Sequence, residues 1–507
     1  TTNRHRVAVV HAPRSRSKET FLAVEALHDD GFGRNRSARR LSTMGQAQLW
    51  SGRGTTLTAF GAAYGARFAL PGVVRIDDVN RGDIGLTDSY ADGSHGESDR
   101  VVGSLRVTNE RDRVRSRVTA YTTARRLLLD ENFTGDLLFE DVGDRHRQHH
   151  AAISPGVRSE LSIRLHERVQ LPIVAHWQGD FVDQSVDQVR DDGSTWGVSQ
   201  DLAIAQHSMG FGAGLRAAPT DWMQVEAGGR LDVFHARVRD AVQDDREFSG
   251  TTYAASPRLL TKFEPGERWQ LFAGYGRGLR SPEARAYTRP TEVPADTDLS
   301  RFGGGQARVT TSDNAEVGTR VQPSPLFDIG AAAFGTWIGR ESIFDHVSGF
   351  NIEQSGTRRL GVEADLLVHA TSWLDVGADV TYAHARFVAS GNPIPGAPPL
   401  VVATRATMLH PKGFRAGFRW FLLGPRPLSY GATAGVATVV DLSVGYRYRW
   451  FQVDLSIDNL LDQAWREGEY HFASHWSPSA PRSQLPTVHA VAGNPFVARI
   501  GVMTRSA

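Results

Sequence analysis

The densest groups of chemically capable side chains in this 507-residue sequence are His146, His149 and His150, and the acidic run from Asp77 to Asp99. Side chains alternate along an extended strand, so His146 and His150 would share a face and His149 would oppose them. Two imidazoles on one face can bind a transition metal, but a solvated polar loop edge is the default expectation. Asp83, Asp88, Asp92, Glu97 and Asp99 could give calcium its oxygen ligands, yet their order is not that of an EF-hand. No metal site and no cofactor are therefore assigned. Gly210-x-Gly212-x-Gly214 and Gly274-x-Gly276-x-Gly278 lack the spacing and the following helix of a nucleotide loop. Ser15-Arg16-Ser17-Lys18 matches a Ser-x-x-Lys pattern without any partner motif. Cysteine is absent, which removes thiolate chemistry and a disulfide framework. No Ser/His/Asp set stands at a plausible spacing, so the sequence reads as a non-enzyme.

The elements that would position these residues are strands. Leu374, Val376, Ala378, Val380 and Tyr382 alternate with Asp375, Gly377, Asp379, Thr381 and Ala383, a period of two with one apolar face. The same alternation marks 21 candidate strands near 4–12, 19–28, 39–50, 55–68, 100–109, 113–127, 146–161, 168–179, 200–218, 222–238, 250–264, 268–279, 309–322, 327–344, 357–369, 373–388, 400–410, 414–424, 433–449, 451–460 and 496–505. A sheet of that size must close on itself to remove its edges. No linker or shift in composition divides the chain, so residues 1–507 read as one architecture.

Mean hydropathy is negative, and no apolar run approaches the roughly 20 residues of a membrane helix. A transmembrane barrel passes that test unseen, because its lipid-facing and lumen-facing residues cancel in any window. Short connections at 13–18, 51–54, 110–112, 219–221, 264–267, 322–326, 371–372 and 411–413 alternate with long ones that include 71–99, 180–199, 281–308 and 463–495. Loop length sorted by side is the pattern of an outer-membrane barrel, with short turns periplasmic and long loops extracellular. Trp50, Trp177, Trp222, Trp269, Trp373, Trp420 and Trp450 fall near strand ends, where interfacial aromatic girdles lie. Net charge is +1, which gives no case for nucleic-acid binding. Inward residues such as Glu226, Arg230, Glu316, Arg320, Glu363 and Asp379 would form a mixed-charge lumen wall.

Five motifs in order resemble the barrel of TonB-dependent outer-membrane transporters: residues 271–284 (LFAGYGRGLRSPEA), 314–320 (NAEVGTR), 356–363 (GTRRLGVE), 391–398 (GNPIPGAP) and 457–462 (IDNLLD). Residues before 271 match by architecture alone. The resemblance implies an all-β, 22-stranded barrel in the bacterial outer membrane, monomeric in the barrel, alone or with accessory proteins. Its extracellular loops would capture a scarce small molecule, a ferric siderophore or another metal chelate, and import it with energy from TonB. Loop residues expected to touch the ligand are Tyr90, His95, Tyr287, Arg289, Arg301 and Trp476. The family's N-terminal plug and first barrel strand have no counterpart in these 507 residues, so both are expected to lie outside them. A plugless, porin-like diffusion channel is the alternative.

Overall fold

The computed structural model describes residues 3–13, 20–282, 288, 308–345, 347, 350–477 and 485–504. Twenty-one strands join in one antiparallel sheet and pair in sequence order, one for each alternating run of the sequence. They are Arg4–His11, Phe21–Asp29, Ala38–Gly52, Thr55–Ala69, His95–Arg111, Val114–Glu131, His146–His166, Val169–Val189, Thr195–Thr220, Met223–Asp240, Arg246–Gly266, Trp269–Arg280, Thr310–Ser324, Phe327–Ile338, Thr357–Thr371, Leu374–Phe387, Leu400–Leu409, Phe414–Leu423, Ala437–Tyr448, Phe451–Asp458 and Val497–Thr504. Strands Arg4–His11 and Val497–Thr504 are the sheet edges, each paired on one side only among the described residues.

The sheet curls into a barrel. Strand Thr487–Ala492, in the loop before the last barrel strand, pairs with Val74–Arg75 from the loop after the fourth. That contact brings the two ends of the sheet together over one rim. Strand Arg466–Phe472 completes this small three-stranded sheet, and a one-turn helix, Ile76–Arg81, follows Val74–Arg75.

Sidedness is written in the turns. At one end two-residue connections recur, as at Arg53-Gly54, Asp112-Arg113, Glu167-Arg168 and Glu267-Arg268. Arg53 at φ 50° and Gly54 at φ 77° give both turn positions the left-handed backbone that matches strand twist. A Cβ on Gly54 would stand 2.5 Å from the Glu110 carbonyl oxygen, so only glycine fits. Trp50, Trp222, Trp269 and Trp450 are exposed at this rim. Trp177, Trp337 and Trp420 sit six to ten residues along their strands, at the other margin of an outward apolar band. Between the two girdles Val101, Leu105, Ile153, Phe211, Leu231, Val317 and Val362 are more than half exposed on the outer face, which is the surface a lipid tail would cover.

Three expectations need correction. Residues 180–199 form strand to Val189 and again from Thr195, leaving a five-residue connection in place of a long loop. Asp183 and Asp187 lie on one face, and Gln184 and Gln188 interrupt Val182 and Val186 on the other, so no clean apolar period marked the strand, and ladder pairing with neighbours sets it. The run 327–344 stops at Ile338, where its neighbour's ladder ends at Thr357, and Glu341–Asp345 pairs instead with Phe350–Gln354. The barrel strand expected from 433 starts at Ala437, because Thr433–Ala434 pairs with Arg426–Pro427.

Candidate functional site: the extracellular vestibule and the lumen wall

At the long-loop end, residues 70–94, 132–145 and 463–496 converge. Gly135 forms a parallel bridge with His475, whose carbonyl accepts the Asp136 amide at 3.0 Å and whose amide donates to the Thr134 carbonyl at 2.8 Å. The His475 ring meets the Asp136 carboxylate, a contact between residues 339 apart in sequence. Loop 463–496 therefore reaches across the barrel mouth to the loop between the sixth and seventh strands.

These loops enclose an open cavity of about 640 Å³ lined by Tyr90, Asp92, Asp136, Arg145, Arg190 and Trp476, among others. Tyr90 and Trp476 stack with ring centroids 4.8 Å apart and planes 10° from parallel. The Tyr90 phenol donates to Asp78, which Arg81 also engages. Burial, and then the Asp78 carboxylate, hold that phenol well above its ordinary pKa. The indole Nε1 of Trp476 is buried without a hydrogen-bond partner among the described residues, leaving a donor at the cavity wall.

Two buried carboxylates build the wall. Asp130 is fully buried and accepts from Arg145 Nε and from Arg147 Nε and Nη2, the last two at 3.0 and 2.8 Å. Asp144 accepts the Thr134 hydroxyl at 2.6 Å and the Leu138 and Phe139 amides at 3.0 and 2.9 Å, closing loop 132–145 on itself. Burial raises the Asp144 carboxyl pKa against the lowering by those bonds.

Of the six loop residues expected from sequence, the structure brings Tyr90 and Trp476 into one stack. His95 opens its strand nearby, its Nδ1 2.9 Å from the Gly93 carbonyl oxygen. Tyr287, Arg289 and Arg301 lie outside the described residues. The acidic run is tied up piecemeal: Asp83 to Arg81, Asp88 to the Gly85 amide, Asp92 to Arg34 and Asp99 to Arg67. His146 is buried 3.7 Å from Glu131, while His149 lies 4.0 Å from Asp187. Among the described residues no three His, Asp or Glu side chains are grouped to hold a metal ion.

The six residues expected in the lumen lie on the strand face opposite the exposed apolar series. Glu226 takes Arg216 at 2.8 Å and also engages Arg258. Arg230 meets Asp232 at 2.8 Å and His176 at 2.6 Å. Arg320 bridges Asp328 and Asp365 at 3.1 and 3.2 Å, and Asp379 accepts Arg405 at 2.7 Å. Glu316 and Glu363 have no ion-pair partner among the described residues. Sequence reasoning missed Asp130, Asp136, Asp144, Arg145 and His475, whose partners come from remote loops and leave no local signal.

Residues 25–460 match the family described as TonB dependent receptor-like, beta-barrel. The chain belongs to this family. No curated protein sequence matches it. Among solved structures, this TonB-dependent receptor barrel is similar to the unliganded ferric citrate transporter FecA, with TM-score 0.77 and 11% identity over 99% of this chain and 75% of that one. It is similar to the ferric yersiniabactin uptake receptor FyuA from Yersinia pestis, at TM-score 0.73 and 13% identity over 99% and 78%. The copper transporter OprC gives TM-score 0.72 and 12% identity over 100% and 80%. At such identities the likeness is one of fold. In a receptor barrel of this family the short-turn rim is periplasmic and the vestibule faces outward.

Proposed function

We propose that this chain is the barrel of an outer-membrane importer that captures a metal chelate, a ferric siderophore or a relative of one, and passes it inward with TonB-transmitted energy. The observation that carries the reading is the Tyr90–Trp476 stack in the wall of an open, 640 Å³ cavity at the mouth of the barrel. That volume is within the range of small-molecule sites, and a stacked aromatic pair offers a flat, rigid platform at low entropy cost. Below it, ion pairs in a hydrated wall remain exchangeable, as a plug that docks and moves would require. The two edge strands have one partner each among the described residues, which leaves room for one further strand between them. Solved relatives of this fold that carry ferric citrate, ferric yersiniabactin or copper support a metal-bearing cargo.

The test is equilibrium binding of a panel of ferric chelates to the purified protein, followed by quenching of tryptophan fluorescence. Replacing Trp476 by alanine removes a half-buried aromatic anchor worth about 2 kcal/mol, a loss of about 30-fold in affinity. Saturable binding that W476A leaves unchanged would remove the vestibule from the reading, and no saturable binding with large, stable conductance steps would favour a diffusion channel.

A further inference from the structure

Most arginines at mid-height in the lumen wall have a carboxylate beside them, including Arg216, Arg230, Arg258, Arg320, Arg405 and Arg419. One sector differs. Tyr64, Arg100 and Arg125 stand directly opposite one another on three adjacent strands, Tyr64 across from Arg100 and Arg100 across from Arg125. All three face the lumen, because Val101, Leu105 and Val118 on the alternate positions carry the lipid-facing side. All three are exposed, and none makes a hydrogen bond or ion pair with another described residue.

The row is chemically one-sided. Two guanidinium groups and a phenol present donors, and like charges directly opposite on a sheet repel. The lumen-face neighbours one step up and down, Ser98 and Val102, Thr123 and Leu127, Ala62 and Ala66, carry no charge. Along the row itself the nearest carboxylate is Glu25, two strands beyond Tyr64, and it is already held by Arg6 and Arg40. On the other side Arg125 faces Ala152. Asp99 and Glu97 are on the outer face with Arg67. A row of donors with no acceptor is completed by an anion, and paired guanidinium forks match the planar oxygens of carboxylate or phosphate.

We infer that Tyr64, Arg100 and Arg125 form an anion-binding site on the lumen wall, for a small molecule bearing carboxylate or phosphate groups. Arg106, on the same face of the same strand six residues further down, is a second unpaired guanidinium about 20 Å away. An anion released from the upper site would meet it on the way inward. The inference stands on the wall geometry and holds whether the lumen serves an importer or a pore.

Isothermal titration of the purified protein in zwitterionic detergent at low ionic strength, with citrate and with inorganic pyrophosphate as probes, tests it. One equivalent should bind. R100Q/R125Q should weaken both probes by about tenfold or more, while R39Q/R126Q, which removes two arginines from the outer face, should leave both within about twofold. Y64F, which deletes only a hydroxyl, should weaken binding by a few-fold and guards against a fold defect in the double variant. R100K/R125K should bind more tightly than R100Q/R125Q and less tightly than the parent protein, because charge is kept and the fork is lost. Failure of the unaltered protein to bind either probe, unchanged binding in R100Q/R125Q, or an equal loss in R39Q/R126Q would overturn the site.

Discussion

Replacing Asp130 by asparagine tests how the vestibule is held. The carboxylate is fully buried, and three guanidinium hydrogens reach it from Arg145 and Arg147. Asparagine keeps the shape but presents one oxygen where two are used, and turns donors toward one arginine. Arg145, itself largely buried, then loses its counter-charge. Removing one partner of a buried pair costs about 3–5 kcal/mol. The barrel ladders do not depend on this contact, so the cost falls on local opening of loop 132–145. A cost of that size multiplies the open population by about a hundredfold to a few thousandfold. Native-state hydrogen exchange read by mass spectrometry should show peptides from 132–145 exchanging faster by that factor, with Thr195–Thr220 and Met223–Asp240 unchanged. Equal protection of 132–145 in both proteins would refute the argument, and so would uniform loss of protection through the barrel.

Gly135 sits at φ 78°, and a Cβ there would lie 1.7 Å from the His475 carbonyl oxygen. Gly135→Ala should therefore separate the two loops and make residues 463–496 sensitive to limited proteolysis, at a local cost above the roughly 1–2 kcal/mol of the left-handed backbone alone. Leu105 is 52% exposed at the middle of the outer apolar band. Leu105→Arg should cost about 2–4 kcal/mol in urea titrations of the protein folded into liposomes, whereas a change under about 0.5 kcal/mol would deny that this face meets lipid. The Tyr90 phenol is neutral when folded, its pKa raised by burial and then by Asp78. Its contribution is intact below the unfolded tyrosine value near 10 and is lost as pH rises toward the higher folded value. Ultraviolet titration of the folded protein minus its Y90F variant should show one phenol that stays protonated through pH 10–11, and titration at the ordinary value would contradict its buried placement.

The barrel was legible because its two constraints are local. Lipid on one side and water on the other impose alternation residue by residue, and tight turns impose glycine and polar residues at one rim, so all 21 strands were visible in the sequence. Strand ends at the outer rim were not, since Asp183 to Gln188 put polar residues on both faces, with Gln188 buried beside Val186, and their ladder neighbours hold them. The vestibule was half legible. Tyr90 and Trp476 stood out as aromatics in polar loops, but their stacking depends on contacts between loops hundreds of residues apart, among them Gly135 to His475. Asp130 and Arg145 read as ordinary charged residues, because the burial that gives them their role is created by those same distant loops.

The central claim is energised import of a captured chelate through this barrel. It is tested most directly by the initial rate at which cells producing the protein accumulate an isotopically labelled ferric chelate, measured with and without functional TonB. The account predicts a saturable rate that falls by about tenfold or more when TonB is absent, as expected when opening the lumen needs energy from outside. The same rate in both cells, rising linearly with chelate concentration, would contradict it and mark the lumen as a passive channel.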